Sequence, residues 1–317
     1  MAIMFYSTEQ NLLTQQPEIT QFFQQQLHKA QLTTDNGDLY YGYVIPEHAK
    51  AAIVICSGRI EGLDKYQELI WELYKNNYAV FIIDHQGQGR SYRALANPHK
   101  GFVNKFSDYA DDLALFDRLI VSKLYQGKKV ILGHSMGGAI AFDFLTRFEH
   151  NYSGVFLSSP MFDIFTKGTP KPLAKLAARA ACLFGFNKHY AFGQADYLPD
   201  EFAQNDLTSS ETRYDLFRQT YQTDSALQLG GVTYGWLNEA FGFMATLEKQ
   251  QLSIPLFVAS AENDTVVDNQ AQLALVHRQS NAILQTFANA KHELLFEQDT
   301  IRKAVLSRFY QFCDSLT

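Results

Sequence analysis

The sequence has no long apolar run and few cysteines. None of its apolar stretches approaches the roughly 18 consecutive residues that a membrane-spanning helix needs. Positions 1–15, MAIMFYSTEQNLLTQ, have neither the basic start nor the apolar run of a secretion signal. The three cysteines (Cys56, Cys182 and Cys313) are odd in number and far apart, which argues against a disulfide framework or a metal site. These absences predict a soluble cytoplasmic protein without a metal.

The chain also lacks a large excess of charge of either sign. The chain has 27 Lys and Arg residues against 33 Asp and Glu residues, a formal net charge of −6 at pH 7. A protein with this balance has no general attraction for nucleic acid or anionic lipid, so contact with a lipid surface needs a local basic patch. Apolar residues make up 46% of the 317 residues, enough for one α/β domain with an insertion. We therefore expect no nucleic-acid partner.

Short apolar runs, each followed by a turn and a helical pattern, recur along the chain. They predict strands at 51–56, 79–84, 129–133, 154–158, 255–260 and 283–287. Fully apolar strands that alternate with helices are typical of a parallel sheet covered on both faces. Asn36-Gly37, inside Leu32–Val44, indicates a hairpin, so the sheet is expected to open with antiparallel strands. The prediction is an α/β fold with a mostly parallel, doubly wound sheet.

The regular alternation breaks between Met161 and Leu237. This stretch has helical pieces and several Gly and Pro residues but no strand pattern of the core type. An insertion on the carboxyl side of a sheet lies over the site that the strand ends form. We therefore predict a core of residues 1–160 and 238–317 with a helical cap, or lid, of residues 161–237.

Gly133-His134-Ser135-Met136-Gly137 follows an apolar strand and precedes a helix. A serine on such a strained strand-to-helix turn exposes its hydroxyl, and side chains two positions away would collide with neighbouring elements. In this context the pattern is typical of the nucleophile elbow of α/β-hydrolases, which predicts Ser135 as the catalytic nucleophile. A serine at the elbow also argues against the usual dehalogenase or epoxide hydrolase chemistry, which needs an aspartate there.

A serine hydroxyl needs a general base, and the base is oriented by a carboxylate. In α/β-hydrolases the chain order is serine, then Asp or Glu, then histidine. Asp264 follows the strand 255–260 and is the predicted acid, with Glu262 and Asp268 as competitors. His292, in the loop after the next strand, is the predicted base.

The oxyanion that forms during ester cleavage needs two N–H donors. One is predicted on Met136, directly after the nucleophile, and the other on Arg59 in the loop 57–61 after the first long strand. Gly58 lets the backbone turn there, although an ordinary strand-to-helix turn is the alternative. Because only its N–H is assigned, the Arg59 side chain is free to meet a phosphate.

Three sequence blocks resemble the monoacylglycerol-lipase-like group of α/β-hydrolases. They are 84–91 (DHQGQGRS), 133–138 (GHSMGG) and 231–236 (GVTYGW). Three further blocks look closest to the bacterial lysophospholipase branch: 57–61 (SGRIE), 266–269 (VVDN) and 292–297 (HELLFE). The similarity runs from about residue 35 to the C-terminus with its blocks in the expected order. One departure is Ser57-Gly58, where many members have His-Gly.

The resemblance implies hydrolysis of one ester bond in a single-chain lipid, either a lysophospholipid or a monoacylglycerol, without a cofactor. It also implies the triad Ser135, Asp264 and His292, with oxyanion donors on Arg59 and Met136. The bacterial branch favours a lysophospholipase. Two alternatives stay open: acyl transfer to a second lipid, which uses the same acyl-enzyme, and a non-catalytic lipid-binding module.

One stretch of the predicted cap is locally basic. Ile164–Ala195 has no acidic residue and contains five basic ones, Lys167, Lys171, Lys175, Arg179 and Lys188. Three of them recur at helical spacing opposite an apolar face, and a basic amphipathic helix can lie on an anionic membrane. The alternative is a cap helix whose apolar face covers the active site while its charges face water. The first interpretation predicts peripheral contact with the inner face of the cytoplasmic membrane.

Overall fold

The computed structural model, which describes residues 4–166 and 168–316 apart from the side chain of Glu248, contains an eight-stranded sheet. Its strands are β1 (His28–Thr34), β2 (Gly37–Val44), β3 (Ala51–Cys56), β4 (Tyr78–Ile83), β5 (Lys129–His134), β6 (Gly154–Ser158), β7 (Leu256–Ala261) and β8 (Ala282–Phe287). They pair in the order β1-β2-β4-β3-β5-β6-β7-β8. The pairs β1·β2 and β2·β4 are antiparallel and all others are parallel, which confirms the predicted fold class and the opening hairpin.

Helices cover both faces of this sheet, and others lie in the stretch between β6 and β7. They are α1 (Glu9–Gln25), α2 (Gln67–Lys75), α3 (Ser107–Phe116), α4 (Ser122–Leu124), α5 (Met136–Arg147), α6 (Lys171–Leu183), α7 (Glu211–Thr223), α8 (Tyr234–Met244), α9 (Asn269–Val276) and α10 (Asp299–Ser315). A π-helical turn over Asp117–Val121 joins α3 to α4. Single 3-10 turns occur at Leu63–Tyr66, Phe202–Gln204, Ser225–Leu227, Leu247–Lys249 and Leu294–Phe296. None of the helices in the described residues is long and apolar enough to cross a membrane.

The central strands are apolar throughout because both of their faces are buried. In β3, Ala52 and Val54 point into the hydrophobic cluster that α3 and α5 cover. The alternate residues Ile53 and Ile55 point into a second cluster, which α1, α2 and α10 cover. Side chains of a strand alternate between the two faces, so each face requires its own apolar set.

Helix α1 was not predicted from the sequence. It begins at Thr8, whose hydroxyl accepts a hydrogen bond from the Asn11 N–H, a common N-terminal cap. Its residues Leu12, Ile19, Phe22 and Phe23 are buried in the second cluster, whereas its other face is rich in glutamine. The helix therefore packs beside α2 on one face of the sheet through a narrow apolar stripe.

The residues between β6 and β7, which we call the β6–β7 segment (159–255), hold α6, α7 and α8. This segment follows the carboxyl end of β6, on the same side of the sheet as the loop after β5. The division into a core and a cap of residues 161–237 stays a prediction, and its boundary at residue 237 falls inside α8.

Candidate active site

Ser135 occupies a strained turn between β5 and α5. Its backbone has φ 50° and ψ −120°, a left-handed conformation that is unfavourable for a residue with a side chain. A Cβ atom on Gly137 would lie 2.1 Å from the carbonyl oxygen of Cys56, and one on Gly133 would lie 2.8 Å from the Cα of Gly138. Both glycines are therefore required by close backbone approach, as the elbow pattern predicts.

A continuous chain of hydrogen bonds joins the three residues predicted as the triad. His292 Nε2 lies 2.9 Å from Ser135 Oγ, and His292 Nδ1 lies 2.8 Å from Asp264 Oδ2. All three residues are buried, and the other Asp264 oxygen accepts the N–H groups of Val266 and Val267 at 2.8 and 3.0 Å. Burial alone would raise the pKa of Asp264, but the bond with His292 and these N–H donors hold it below its ordinary value. The carboxylate thus stays ionised beside the imidazole.

The two competing acids lie elsewhere in the structure. The Glu262 carboxylate accepts the N–H of Asn289 at 2.8 Å at an exposed site. Asp268 caps α9 through the Gln270 N–H at 2.9 Å and lies 3.5 Å from Lys171 Nζ. All three acids follow the same strand end, and of the three it is the predicted Asp264 that bonds to His292.

The residues predicted as oxyanion donors come from neighbouring strands. Met136 is the first residue of α5 after β5, and Arg59 lies in the loop after β3, which pairs with β5 in parallel. The Glu61 carboxylate accepts the Gly58 N–H at 2.6 Å, and the Gln88 side chain donates to the Gly58 carbonyl at 2.7 Å. Side chains thus fix the backbone of this loop on both sides of Gly58.

A buried group of charges next to the triad was missed by sequence reasoning. Lys65 Nζ lies 2.8 Å from Glu61 Oε1 and 2.5 Å from Glu293 Oε1, and the His134 ring is 3.7 Å from Glu61. Burial acts to raise the pKa of Glu61, but the lysine and His134 lower it to about 2, whereas burial raises the pKa of Glu293. The i, i+4 spacing of Glu61 and Lys65 was the one local signal for this group.

The same group has the spacing of a metal site. Ligand atoms of Glu61, His134 and Glu293 lie within 4.8 Å of one another. The Lys65 ammonium bonds to both carboxylates, so a positive charge already resides there. The group is therefore better explained as a lysine-centred ion cluster than as a metal centre.

A cavity of about 640 Å³ opens over Ser135 and His292, and we call it the Ser135 cavity. Its wall includes the 57–61 loop and parts of the β6–β7 segment, among them Tyr221 and Arg218 of α7. The Tyr221 hydroxyl donates to the Ile60 carbonyl at 2.8 Å, which ties α7 to that loop. Ile60 itself has φ 66°, so this loop is also strained.

The apolar side chains on and near α6 face solvent rather than the site. Exposed fractions are 56% for Leu173, 64% for Leu176, 78% for Leu183 and Phe184, and 92% for Phe192. This finding contradicts the alternative that the apolar face of the helix covers the active site. Of the predicted basic residues, Lys171 is paired with Asp163 at 2.7 Å, Lys175, Arg179 and Lys188 are exposed, and Lys167 lies outside the described residues.

The fold and the elbow together define an α/β-hydrolase with a serine at the nucleophile position. The chain belongs to the family described as serine aminopeptidase, S33, which matches residues 47–299. It is 36% identical to lysophospholipase L2 of Escherichia coli strain K12 over 84% of this chain and 81% of that protein. It is 31% identical to the probable lysophospholipase L2 of Haemophilus influenzae over 93% of this chain and 94% of that protein.

A solved structure supports the fold assignment. A soluble variant of monoglyceride lipase from Saccharomyces cerevisiae, in complex with a substrate analogue, superposes with a TM-score of 0.71 at 18% identity, covering 92% of this chain and 97% of that one. The family match and the two lysophospholipase L2 relatives confirm the resemblance to the monoacylglycerol-lipase-like group, on its bacterial lysophospholipase branch.

Proposed function

We propose that this protein is a carboxylic ester hydrolase that removes the acyl chain from lysophospholipids. The observation that carries the proposal is the hydrogen-bonded chain Asp264–His292–Ser135 at the floor of the Ser135 cavity. Sequence identity to two proteins named lysophospholipase L2 supports the substrate class. Apolar residues of the wall offer room for an acyl chain: Leu198, Leu207, Phe217, Leu229 and Val266.

In the proposed reaction, Ser135 Oγ attacks the acyl carbonyl while His292 Nε2 takes its proton. Asp264, ionised and bonded to Nδ1, stabilises the imidazolium that forms. The N–H groups of Arg59 and Met136 donate to the oxyanion, each worth about 3 kcal/mol in comparable enzymes. His292 then gives its proton to the leaving glycerol oxygen. A water molecule, deprotonated by the same histidine, cleaves the acyl-enzyme and restores Ser135.

The test is hydrolysis of lysophosphatidylcholine. The free fatty acid that is released is measured, and Ser135→Ala is the control. The proposal expects release that Ser135→Ala lowers by at least about 10⁴-fold. Release from a monoacylglycerol alone would instead favour a monoacylglycerol lipase. Appearance of phosphatidylglycerol carrying an added acyl chain, when that lipid is supplied, would favour acyl transfer. Lipid binding without any turnover would favour a non-catalytic module.

We further propose that the β6–β7 segment acts as a cap and docks on an anionic membrane. Its exposed apolar side chains at Leu183, Phe184 and Phe192 and its exposed cations at Lys175, Arg179 and Lys188 all fall between residues 175 and 192. Apolar groups that enter the interface and cations that meet acidic lipid head groups together give peripheral binding. Lys171 contributes less, because Asp163 and Asp268 already neutralise it. The inner face of the cytoplasmic membrane is the expected location.

Cosedimentation with phosphatidylglycerol vesicles tests this docking. Changing the three cations to glutamate should weaken binding by at least about tenfold, and changing the three apolar residues to serine should abolish it. Leu13→Ser is the matched control, since Leu13 is 62% exposed but lies on α1. If the cation variant and the apolar variant both bound the vesicles as well as Leu13→Ser does, docking through this segment would be contradicted.

A further inference from the structure

Three cationic side chains line the Ser135 cavity: Arg59, Lys65 and Arg218. The charge of Lys65 is neutralised within the protein, because its ammonium group bonds to both Glu61 and Glu293. Within the described residues, neither arginine has a carboxylate at hydrogen-bond distance; the nearest to Arg218 is Asp200, 3.9 Å away. The cavity wall therefore carries two guanidinium groups whose charge is not matched by a bonded acid.

Arg218 is held in place but keeps donors to spare. Its guanidinium lies over the rings of Tyr214 and Phe217, 4.8 and 4.9 Å from their centroids. One terminal nitrogen lies 3.4 Å from the Tyr197 hydroxyl, a long hydrogen bond, and the buried Nε has no hydrogen-bond partner among the described residues. A buried N–H without an acceptor is costly. The Arg218 guanidinium thus has donor capacity that the described residues do not use.

Arg59, whose backbone N–H is the predicted oxyanion donor, presents a second donor group through its side chain. Its Nη1 donates to the Gly230 carbonyl at 2.9 Å, and its guanidinium lies 5.8 Å from the centre of the Trp236 ring. Burial lowers the pKa of Arg59 to about 10, which still leaves it protonated at neutral pH. A desolvated guanidinium of this kind favours an anionic ligand, above all a carboxylate or phosphate.

Arg59 and Arg218 line the same cavity, and α7 contacts the 57–61 loop that carries Arg59. Tyr221, which bonds to the carbonyl of Ile60, lies three residues after Arg218 in α7. Residues three apart share a helix face with their Cβ atoms about 5–6 Å apart. Ile60 directly follows Arg59. Arg218 thus lies about one helical turn before Tyr221, whose hydrogen bond to Ile60 anchors the 57–61 loop.

We propose that Arg59 and Arg218 form a phosphate subsite that binds the head group of the leaving alcohol. The proposal rests on the lysophospholipase function proposed above. In a 1-acyl lysophospholipid the three glycerol carbons separate the scissile ester oxygen from the phosphate oxygen, so both groups fit within one cavity. A neutral monoacylglycerol has no charge for this subsite. The two arginines therefore select lysophospholipids over monoacylglycerols.

The first test compares kcat/KM for lysophosphatidylcholine and for a monoacylglycerol with the same acyl chain. Arg218→Gln and Arg59→Gln should each lower the ratio of the two values by about 10- to 100-fold, as expected when a charged hydrogen bond is lost. Arg218→Lys should give an intermediate ratio, because it keeps the charge but loses the planar fork. Arg308→Gln, at an exposed position on α10, is the control and should keep the wild-type ratio. An equal loss on both substrates would overturn the subsite.

The second test uses a short p-nitrophenyl ester, so that no lipid surface is involved. Glycerophosphocholine should inhibit the wild type, glycerol should not, and Arg218→Gln should weaken that inhibition by at least about tenfold. Inorganic phosphate that inhibits as strongly as glycerophosphocholine would indicate a free-anion site and overturn the head-group assignment. Ester cleavage and inhibition can be measured even if lysophosphatidylcholine is not a substrate. Failure of the proposed function and failure of the subsite are thus separable.

Discussion

The carboxylate of Glu61 accepts a hydrogen bond from the Gly58 N–H at 2.6 Å and is itself bonded to Lys65 at 2.8 Å. Lys65 also bonds to Glu293, the residue after the predicted catalytic base. One buried lysine therefore connects the loop of the predicted oxyanion donor to the loop of His292. This connection makes both loops sensitive to a residue that touches neither the nucleophile nor its base.

Removal of Lys65 should destabilise the protein strongly. Lys65→Met leaves two buried carboxylates without their cation, for which we expect a loss of about 3–5 kcal/mol in the free energy of unfolding. Urea titration measures it. The matched control is Lys75→Met, because Lys75 and Glu18 form a largely exposed pair, which is worth at most about 1 kcal/mol. Similar losses in the two variants would contradict the account of the buried cluster.

His134 should make stability depend on pH in a defined range. Burial lowers its pKa to about 4, whereas in the unfolded chain it is about 6.5. Between these values the unfolded state binds a proton that the folded state does not, so His134 stabilises the fold fully above pH 6.5. That contribution is lost as the pH falls toward 4, at up to about 1.4 kcal/mol per pH unit.

Comparing the wild type with a His134 variant isolates the contribution of His134 to the pH dependence of stability, because the other titrating groups are common to both proteins. The free energy of unfolding of His134→Gln, measured by urea titration from pH 4.5 to 6.5, should fall less steeply with acid than that of the wild type. Parallel curves would show that the His134 pKa is not lowered in the folded protein.

The elbow should not tolerate a methyl group on Gly137. The added Cβ would lie 2.1 Å from a backbone carbonyl, which cannot move without shifting β3. We expect Gly137→Ala to cost about 3 kcal/mol or more. Gly242→Ala is the control: Gly242 is exposed within α8 with open space around it, and alanine there should stabilise by about 0.5–1 kcal/mol. Thermal unfolding compares them, and a fully stable Gly137→Ala would refute the tight elbow.

The acid that orients His292 can be identified by exchanging a single oxygen. Asp264→Asn keeps the shape but removes the charge that stabilises the imidazolium, so kcat should fall by about 10³- to 10⁴-fold. Glu262→Gln, two residues away at an exposed site, should leave kcat within about twofold, because exposed charges interact weakly. Rates on a p-nitrophenyl ester give both values. Equal effects would remove Asp264 from its proposed role.

Much of the fold was predictable because its central strands are apolar on both faces and its turns contain diagnostic residues. Asn36-Gly37 marked the opening hairpin, and the glycines around Ser135 marked the elbow. Parallel strands bring their carboxyl ends to one edge, which is why Asp264 and His292 could be expected near Ser135 although 157 positions separate Ser135 from His292.

The features that escaped prediction depend on distant contacts or on what a surface packs against. Lys65 and Glu293 are 228 positions apart, and no local pattern connects them. The apolar periodicity of α6 defines a face, but it did not show that Leu183 and Phe184 remain exposed. Helix α1 was missed because its apolar stripe is narrow and lies among glutamines.

Every step of the proposed reaction depends on Ser135 being a nucleophile that His292 and Asp264 activate. Labelling with a fluorophosphonate, read by intact-protein and peptide mass spectrometry, tests it most directly, because the probe reacts with an activated serine and needs no knowledge of the substrate. We expect a single adduct on Ser135, absent in Ser135→Ala and formed far more slowly in Asp264→Asn. An unlabelled wild type, or an adduct on another residue, would contradict it.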